Sequence, residues 1–167
     1  MRPKSEENLS AAFAGESQAH MKYKAFATKA KREGYANISR LFQAISFAEE
    51  VHATNHFRIL GHLNDTSENL QAAVDGETYE VEEMYPSFIS AAEEEEEKAA
   101  ARSEIWALEA EKIHARLYGQ AKDAVDDGSD MELDTINICS TCGWTGLGEA
   151  PDVCPVCGAK KEFFKQF

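Results

Sequence analysis

Apolar residues recur every three or four positions through most of the stretch 1–127, the spacing that lines one face of an α-helix. Four segments carry the pattern. Segment A is predicted over about 6–33, with Leu9, Phe13, Tyr23, Ala27 and Ala30 as its apolar stripe, and it stops at Gly34. Segment B covers about 36–60, with Ile38, Leu41, Ile45, Ala48 and Ile59, and ends near Gly61. Segment C covers about 69–94, with Leu70, Ala73, Met84 and Phe88, and segment D about 98–125, with Leu108, Tyr118, Ala121 and Val125. Pro86 falls inside segment C. It has no N–H for the carbonyl of Glu82 and is expected to kink the helix. Residues 128–136 read as a linker, and 137–167 as a turn-rich module that holds all four cysteines. The pattern predicts a mainly α chain: a four-helix bundle over 1–127, the linker, and a small module at 137–167 with short β-hairpins.

Composition narrows the possible partners. A hydrophobic content of 43 % supplies a core without disulfide staples. Acidic residues outnumber basic ones 30 to 17, a net charge of −13, which argues against nucleic acid as the main partner. No apolar run reaches the roughly 18 residues of a membrane span. The opening residues, Met1-Arg2-Pro3-Lys4-Ser5-Glu6-Glu7, lack the apolar stretch of a signal peptide, so a cytoplasmic location is expected.

The helical stripes contain charged misfits. Continuing the register of A through 9, 13 and 16 places Glu16 on the apolar face. Register 38–41–45–49–52 does the same for Glu49 and His52 of B. Register 70–73–77–80–84 includes Glu77 and Glu80 of C, and 108–111–114–118 includes Glu111 and His114 of D. Isolated Glu and His residues of this kind usually lie on a solvated helix face. Here they repeat. The interval from Glu16 to Glu49 matches that from Glu77 to Glu111 to within a single position, and each second Glu opens a Glu-x-x-His. A buried carboxylate is costly unless it is paired or metal-bound. Two Glu plus Glu-x-x-His sets facing one bundle interior are the arrangement of ferritin-like carboxylate bundles holding two iron or manganese ions. His20, one turn from Glu16, is a candidate to support that site.

Cys139-x-x-Cys142 and Cys154-x-x-Cys157, with only 143–153 between them, make a tetrahedral four-thiolate site suited to iron or to a structural zinc. Gly143 and Gly158 follow the two pairs, where a tight turn aims backbone N–H groups at sulfur. Trp144, Phe163, Phe164 and Phe167 are available for a small aromatic core. The spacing leaves the metal open, although a redox-active iron pair in the bundle would need an electron supply that zinc cannot give.

The chain resembles the rubrerythrins over nearly its whole length. The resemblance rests on Ala12-Phe13-Ala14-Gly15-Glu16-Ser17-Gln18-Ala19, the two Glu-x-x-His motifs, Glu83-Met84-Tyr85-Pro86-Ser87-Phe88 and the terminal cysteine pairs. Cys-x-x-Cys-Gly-Trp and Cys-Pro-x-Cys-Gly are similar to rubredoxin. It implies a ferritin-like di-iron domain followed by a rubredoxin-like Fe(Cys)4 domain, and a peroxidase that reduces hydrogen peroxide to water in defence against oxidative stress. By the same resemblance Glu49 and Glu111 bridge the irons, Glu16 is terminal on the first, and Glu77 and His114 are terminal on the second. Glu80 trades places with His52 as the site is reduced, and Tyr23 and Tyr85 stand close by. Electrons pass through the Fe(Cys)4 site, delivered by a rubredoxin or an NAD(P)H-dependent reductase. An iron-handling ferroxidase or storage protein, and an oxidase acting on dioxygen, share these residues.

Two departures bear on assembly. If B ends near His62 and C begins near Asn69, the link must span about 27 Å within one bundle, and seven extended residues reach about 25 Å. A domain-swapped homodimer, pairing A–B of one chain with C–D of another, relieves that strain. Within one chain the linker is expected to hold the two metal sites apart, so a head-to-tail dimer would set each Fe(Cys)4 site beside the partner's di-iron site. The second departure is the acidic run 93–97, where many family members turn on a glycine. Glu does not favour the positive φ that Gly supplies, and a solvated helix end is expected.

Overall fold

The computed structural model describes residues Met1–Phe167. The chain divides into two compact units, Met1–Asn64 and Asp65–Phe167. No helix is long and apolar enough to cross a membrane.

The first unit is a helix pair, α1 (Pro3–Arg32) and α2 (Ala36–Leu60). Helix α1 begins three residues before the expected position because Pro3 fits the first turn, where no N–H is needed. It ends among Lys29, Lys31 and Arg32, cations suited to the helix C-terminus. Small residues form the seam: Ala27, Ala30, Ser39, Ser46 and Ala53 are all buried. They let the backbones approach closely enough for side chain to backbone bonds between the helices. Ser39 Oγ donates to the Ala27 carbonyl at 2.8 Å, and Ser46 Oγ to the His20 carbonyl at 2.9 Å. The aliphatic stripe of segment B lies elsewhere. Ile38, Leu41 and Ile45 are exposed in the single chain, Leu41 by 57 %, because the small-residue face takes the contact with α1.

The second unit holds α3 (Thr66–Tyr79), a π-helical turn (Glu80–Met84), α4 (Tyr85–Glu94) and α5 (Lys98–Asp126). Helix α3 starts three residues before the predicted position because Asp65 caps it, its carboxylate accepting from the Glu68 N–H at 2.9 Å. The link from α2 is therefore only 61–65. Pro86 sits in the first turn of α4, and the π turn that precedes it carries an N–H from Tyr85 to the Glu80 carbonyl. Segment C is thus interrupted by a wide turn and then resumes as α4.

The chain then forms a three-stranded antiparallel sheet, order β2–β1–β3, from β1 (Ile136–Cys139), β2 (Thr145–Leu147) and β3 (Phe164–Gln166). Ile138 pairs with Thr145 on one side and with Lys165 on the other. The rings of Trp144 and Phe164 meet edge to face with centroids 5.7 Å apart. Buried Asn137 donates to the Gly148 carbonyl at 2.8 Å and accepts from Gln166.

Candidate metal centres

Each unit brings one carboxylate–imidazole triad together. In the first, α1 supplies Glu16 and α2 supplies Glu49 and His52, with one donor atom of each within 4.8 Å of the others. The i, i+3 spacing puts His52 Nδ1 2.9 Å from Glu49 Oε2, and the helix pairing puts it 4.0 Å from Glu16 Oε1. In the second, α3 supplies Glu77 and α5 supplies Glu111 and His114, within the same limit. His114 Nδ1 is 2.5 Å from Glu111 Oε2 and 3.8 Å from Glu77 Oε2.

The second triad is electrostatically crowded. Glu77 Oε2 is buried without a hydrogen-bond partner. Burial pushes the Glu77 carboxyl up to about 7, and the neighbouring Glu111 and Glu80 add to the effect. Glu80, on the π turn, stands outside the triad. Its carboxyl is raised by burial and by Glu111, against an opposing pull from His114. Tyr85 is raised by burial, then by Glu80, Glu111, Glu77 and Glu104. An orphaned buried carboxylate oxygen among like-charged neighbours is a group that a divalent cation would satisfy, and carboxylate plus imidazole donors suit iron.

Glu104 is a residue that the motifs do not reach. Its Oε2 is buried without a partner, and its charge acts on Tyr85. The signal is its position two helical turns before Glu111, on the same face of α5. Tyr23 lies in an aromatic cluster, with its ring centroid 6.2 Å from those of Phe26 and Phe42. His20 directs Nδ1 to the Ser46 carbonyl at 2.9 Å, so its ring ties α1 to α2. His62 packs against Phe57, and His56 is half-buried.

Cys139, Cys142, Cys154 and Cys157 converge, all four sulfurs lying within 4.8 Å of one another. Sγ of Cys139 is 3.6 Å from that of Cys157, and Cys142 is 3.5 Å from Cys154. A disulfide needs about 2.05 Å. A tetrahedron of metal–sulfur bonds of about 2.3 Å needs sulfurs about 3.8 Å apart, close to what is found. Gly143 and Gly158 take φ of 82° and 76°, the turns expected after each pair. Burial alone would raise the Cys139 thiol, but N–H groups of Thr141 and Cys142 point at it and it falls to about 7. The N–H groups of Trp144 and Ala159 point at Cys142 and Cys157, but burial outweighs them and both thiols are held above the ordinary range.

The cysteine module does not stand clear of the helices that precede it. His114 Nε2 and Thr145 Oγ1 are 2.8 Å apart. Met131 and Leu133 of the connecting segment face Leu117, Tyr118 and Leu147 across an apolar cavity of about 310 Å³. The linker thus folds back instead of holding the two metal sites of one chain apart, because its apolar side chains find cover on α5.

Comparison with known proteins agrees with this geometry. A family model described as rubrerythrin matches residues 7–122, and one described as the rubredoxin-like domain of rubrerythrin matches residues 138–165. The chain is 42 % identical to rubrerythrin-2 of Clostridium acetobutylicum, covering 95 % of this chain and 94 % of that protein. It is 35 % identical to nigerythrin of Nitratidesulfovibrio vulgaris, covering 96 % and 85 %. Among solved structures, fully reduced, all-ferrous nigerythrin superposes with a TM-score of 0.57 at 34 % identity, covering 97 % of this chain and 86 % of that one.

Proposed function

The chain belongs to the rubrerythrin family of iron-binding oxidoreductases, and we propose that it is a peroxidase reducing hydrogen peroxide to water. The iron cofactors of that family, a di-iron centre and a mononuclear Fe(Cys)4 centre, both have their donor groups in this chain. The observation that carries the reading is the presence of two Glu plus Glu-x-x-His triads and a four-cysteine cluster in one polypeptide. A two-electron substrate needs two adjacent one-electron centres and a means of refilling them.

Iron, when bound, supplies the reducing electrons and the Lewis acidity. The chain supplies the rest. Glu49 and Glu111 would bridge, Glu16 would be terminal in the first half, and Glu77 and His114 terminal in the second. Glu80 and His52 would exchange as ligands between redox states. Glu80 and Tyr85 carry raised proton affinities beside the second triad, which suits them to hold a proton for a departing oxygen. Tyr23 would support the first triad from its aromatic cluster. Electrons would enter at Cys139, Cys142, Cys154 and Cys157 from a rubredoxin or an NAD(P)H-dependent reductase.

A swapped homodimer would complete the site. From His52 to the end of α2 is about 12 Å, and from the start of α3 to Glu77 about 16 Å. If α2 and α3 ran parallel in one bundle with their ligands level, the connection would have to cover about 28 Å. Six Cα steps from Leu60 to Thr66 reach about 22 Å. Exposed Ile38, Leu41 and Ile45 give the second chain an apolar surface to cover. Complementation tests this part. A chain with Glu49→Ala and His52→Ala, co-folded with one carrying Glu111→Ala and His114→Ala, regains one intact site only if the halves are exchanged.

Stopped-flow absorbance tests the reaction. The reduced protein is mixed with hydrogen peroxide and, separately, with dioxygen, while the Fe(Cys)4 colour reports reoxidation. Fast recovery with peroxide and slow recovery with dioxygen is expected. The reverse order would make the protein an oxidase, and a colourless protein would make the module a zinc ribbon.

A further inference from the structure

Thr145 is buried at 4 % exposure, and its hydroxyl has two partners. It lies 2.8 Å from His114 Nε2 and donates to the Gly143 carbonyl at 3.2 Å. A hydroxyl whose hydrogen is spent on a carbonyl can only accept from the ring, so Nε2 carries the proton. Nδ1 is then the nitrogen turned to Glu111 and Glu77, where it shares a proton with Glu111 and would offer its lone pair once a metal takes that proton's place. Histidine ligands are commonly held this way, the second nitrogen donating to a fixed acceptor. The acceptor here is unusual in its origin: it comes from β2, far along the chain, in the module that carries the cysteines.

The position of Thr145 is set by the sheet. Its pairing with Ile138 anchors it next to the strand that ends in Cys139. Gly143, which accepts its hydrogen, directly follows Cys142 and lies against Ala110 of α5. One continuous chain of bonds therefore runs from the Cys142 backbone through the Gly143 carbonyl and the Thr145 hydroxyl to the His114 ring.

We propose that Thr145 is a positioning residue for His114, which fixes the tautomer that turns Nδ1 toward Glu77 and Glu111 and clamps the cysteine module to the helix bearing that triad. The inference rests on the reading of Glu77, Glu111 and His114 as half of a metal site, but not on peroxide as substrate. The hydroxyl would hold the ligand in place before any metal arrives and keep the two metal sites of one chain in fixed contact.

The test uses the full chain with Fe(Cys)4 loaded and the helical site stripped, titrated with Fe²⁺ under argon by calorimetry. Thr145→Val keeps the shape and removes the acceptor; Thr145→Ser keeps the acceptor. Loss of such a partner typically costs about 10- to 100-fold in metal affinity, and that loss is expected for Thr145→Val, with Thr145→Ser close to wild type. The Fe(Cys)4 colour reports that the module is folded in each variant. A second readout is ¹⁵N NMR of the zinc-substituted protein, in which wild type and Thr145→Ser are expected to retain a slowly exchanging Nε2–H on His114. Wild-type affinity in Thr145→Val would overturn the proposal, as would equal losses in both variants, which would mean that packing and not the hydroxyl matters. A wild-type protein that binds no Fe²⁺ at the helical site would overturn the metal-site reading as well.

Discussion

Gly34 and Glu96 occupy the same place in two copies of one turn. Gly34 follows α1 with φ 86°, and Glu96 follows α4 with φ 59°, the only non-glycine residue in the chain at positive φ. The hydrogen bonds correspond one by one. Tyr35 donates to the Ala30 carbonyl and Ala36 to Gly34; Glu97 donates to Ala92 and Lys98 to Glu96. The Glu-x-x-His motif begins at the same interval beyond the turn in each copy, at Glu49 and at Glu111. The two halves of the chain are therefore one helix–turn–helix plan used twice, and the second copy holds an L-residue where the first has glycine.

That substitution stores strain, since the left-handed region costs an L-residue about 1–2 kcal/mol. Glycine would relieve most of it while adding some freedom to the unfolded chain. Glu96→Gly is expected to stabilise the protein by about 1 kcal/mol, raising Tm by about 2–4 °C in a chain of this size. Calorimetry checks this, and an unchanged or lower Tm would show that the corner carries no strain.

The copies differ between ligands by a single position, the interval from Glu77 to Glu111 being one longer than that from Glu16 to Glu49. The π turn at Glu80–Met84 absorbs the surplus, letting Glu77 meet Glu111 while Glu80 is added to the face. Deleting exposed Glu82 should convert the turn to α-helix and rotate Glu77 by about 100° relative to α4. The expected outcome is unchanged helical circular dichroism with weakened Fe²⁺ binding at the helical site. Undiminished binding would show that the π turn does not set the ligand geometry.

What was legible in the sequence was whatever repeats at helical spacing. Glu49 and His52, or Glu111 and His114, are neighbours on a helix whatever surrounds them, and the cysteine spacing is equally local. The unequal ligand intervals of the two halves were visible too, but nothing local says that a π turn absorbs the difference. The stripe Ile38, Leu41, Ile45 marks an apolar face of α2, yet the α1 contact is made by Ser39, Ser46 and Ala53. Periodicity marks an apolar face without saying which neighbour covers it. The pairing of His114 with Thr145 depends on how β2 docks against α5, and no pattern in either segment announces it.

The cysteine cluster has a separable role in the proposed peroxidase. Cys142→Ala removes one of four ligands and should disable refilling of the helical iron pair without touching its donor set. Prereduced Cys142→Ala protein is expected to consume one equivalent of peroxide at a rate near wild type and then to stop. Steady turnover with an electron donor should be lost. Sustained turnover would refute the electron route through the cysteines.

The raised proton affinity of Glu77 makes a prediction about the metal-free protein. Its carboxyl titrates at about 7 in the fold, through burial first and then Glu111 and Glu80, against 4.5 for the unperturbed group. Between those values the folded chain binds more protons than the unfolded one, so stability falls as pH rises. The contribution is fully present below about pH 4.5 and is lost as pH climbs through about 7. The metal-free protein should therefore show a lower urea midpoint above pH 7 than near pH 5, and Glu77→Gln should flatten the difference. Divalent iron should reverse the trend in the wild-type protein, because the deprotonated carboxylate is the form that ligates. A midpoint that rises with pH in the metal-free protein, or a Glu77→Gln profile parallel to wild type, would mean that Glu77 is not the group held protonated in the fold.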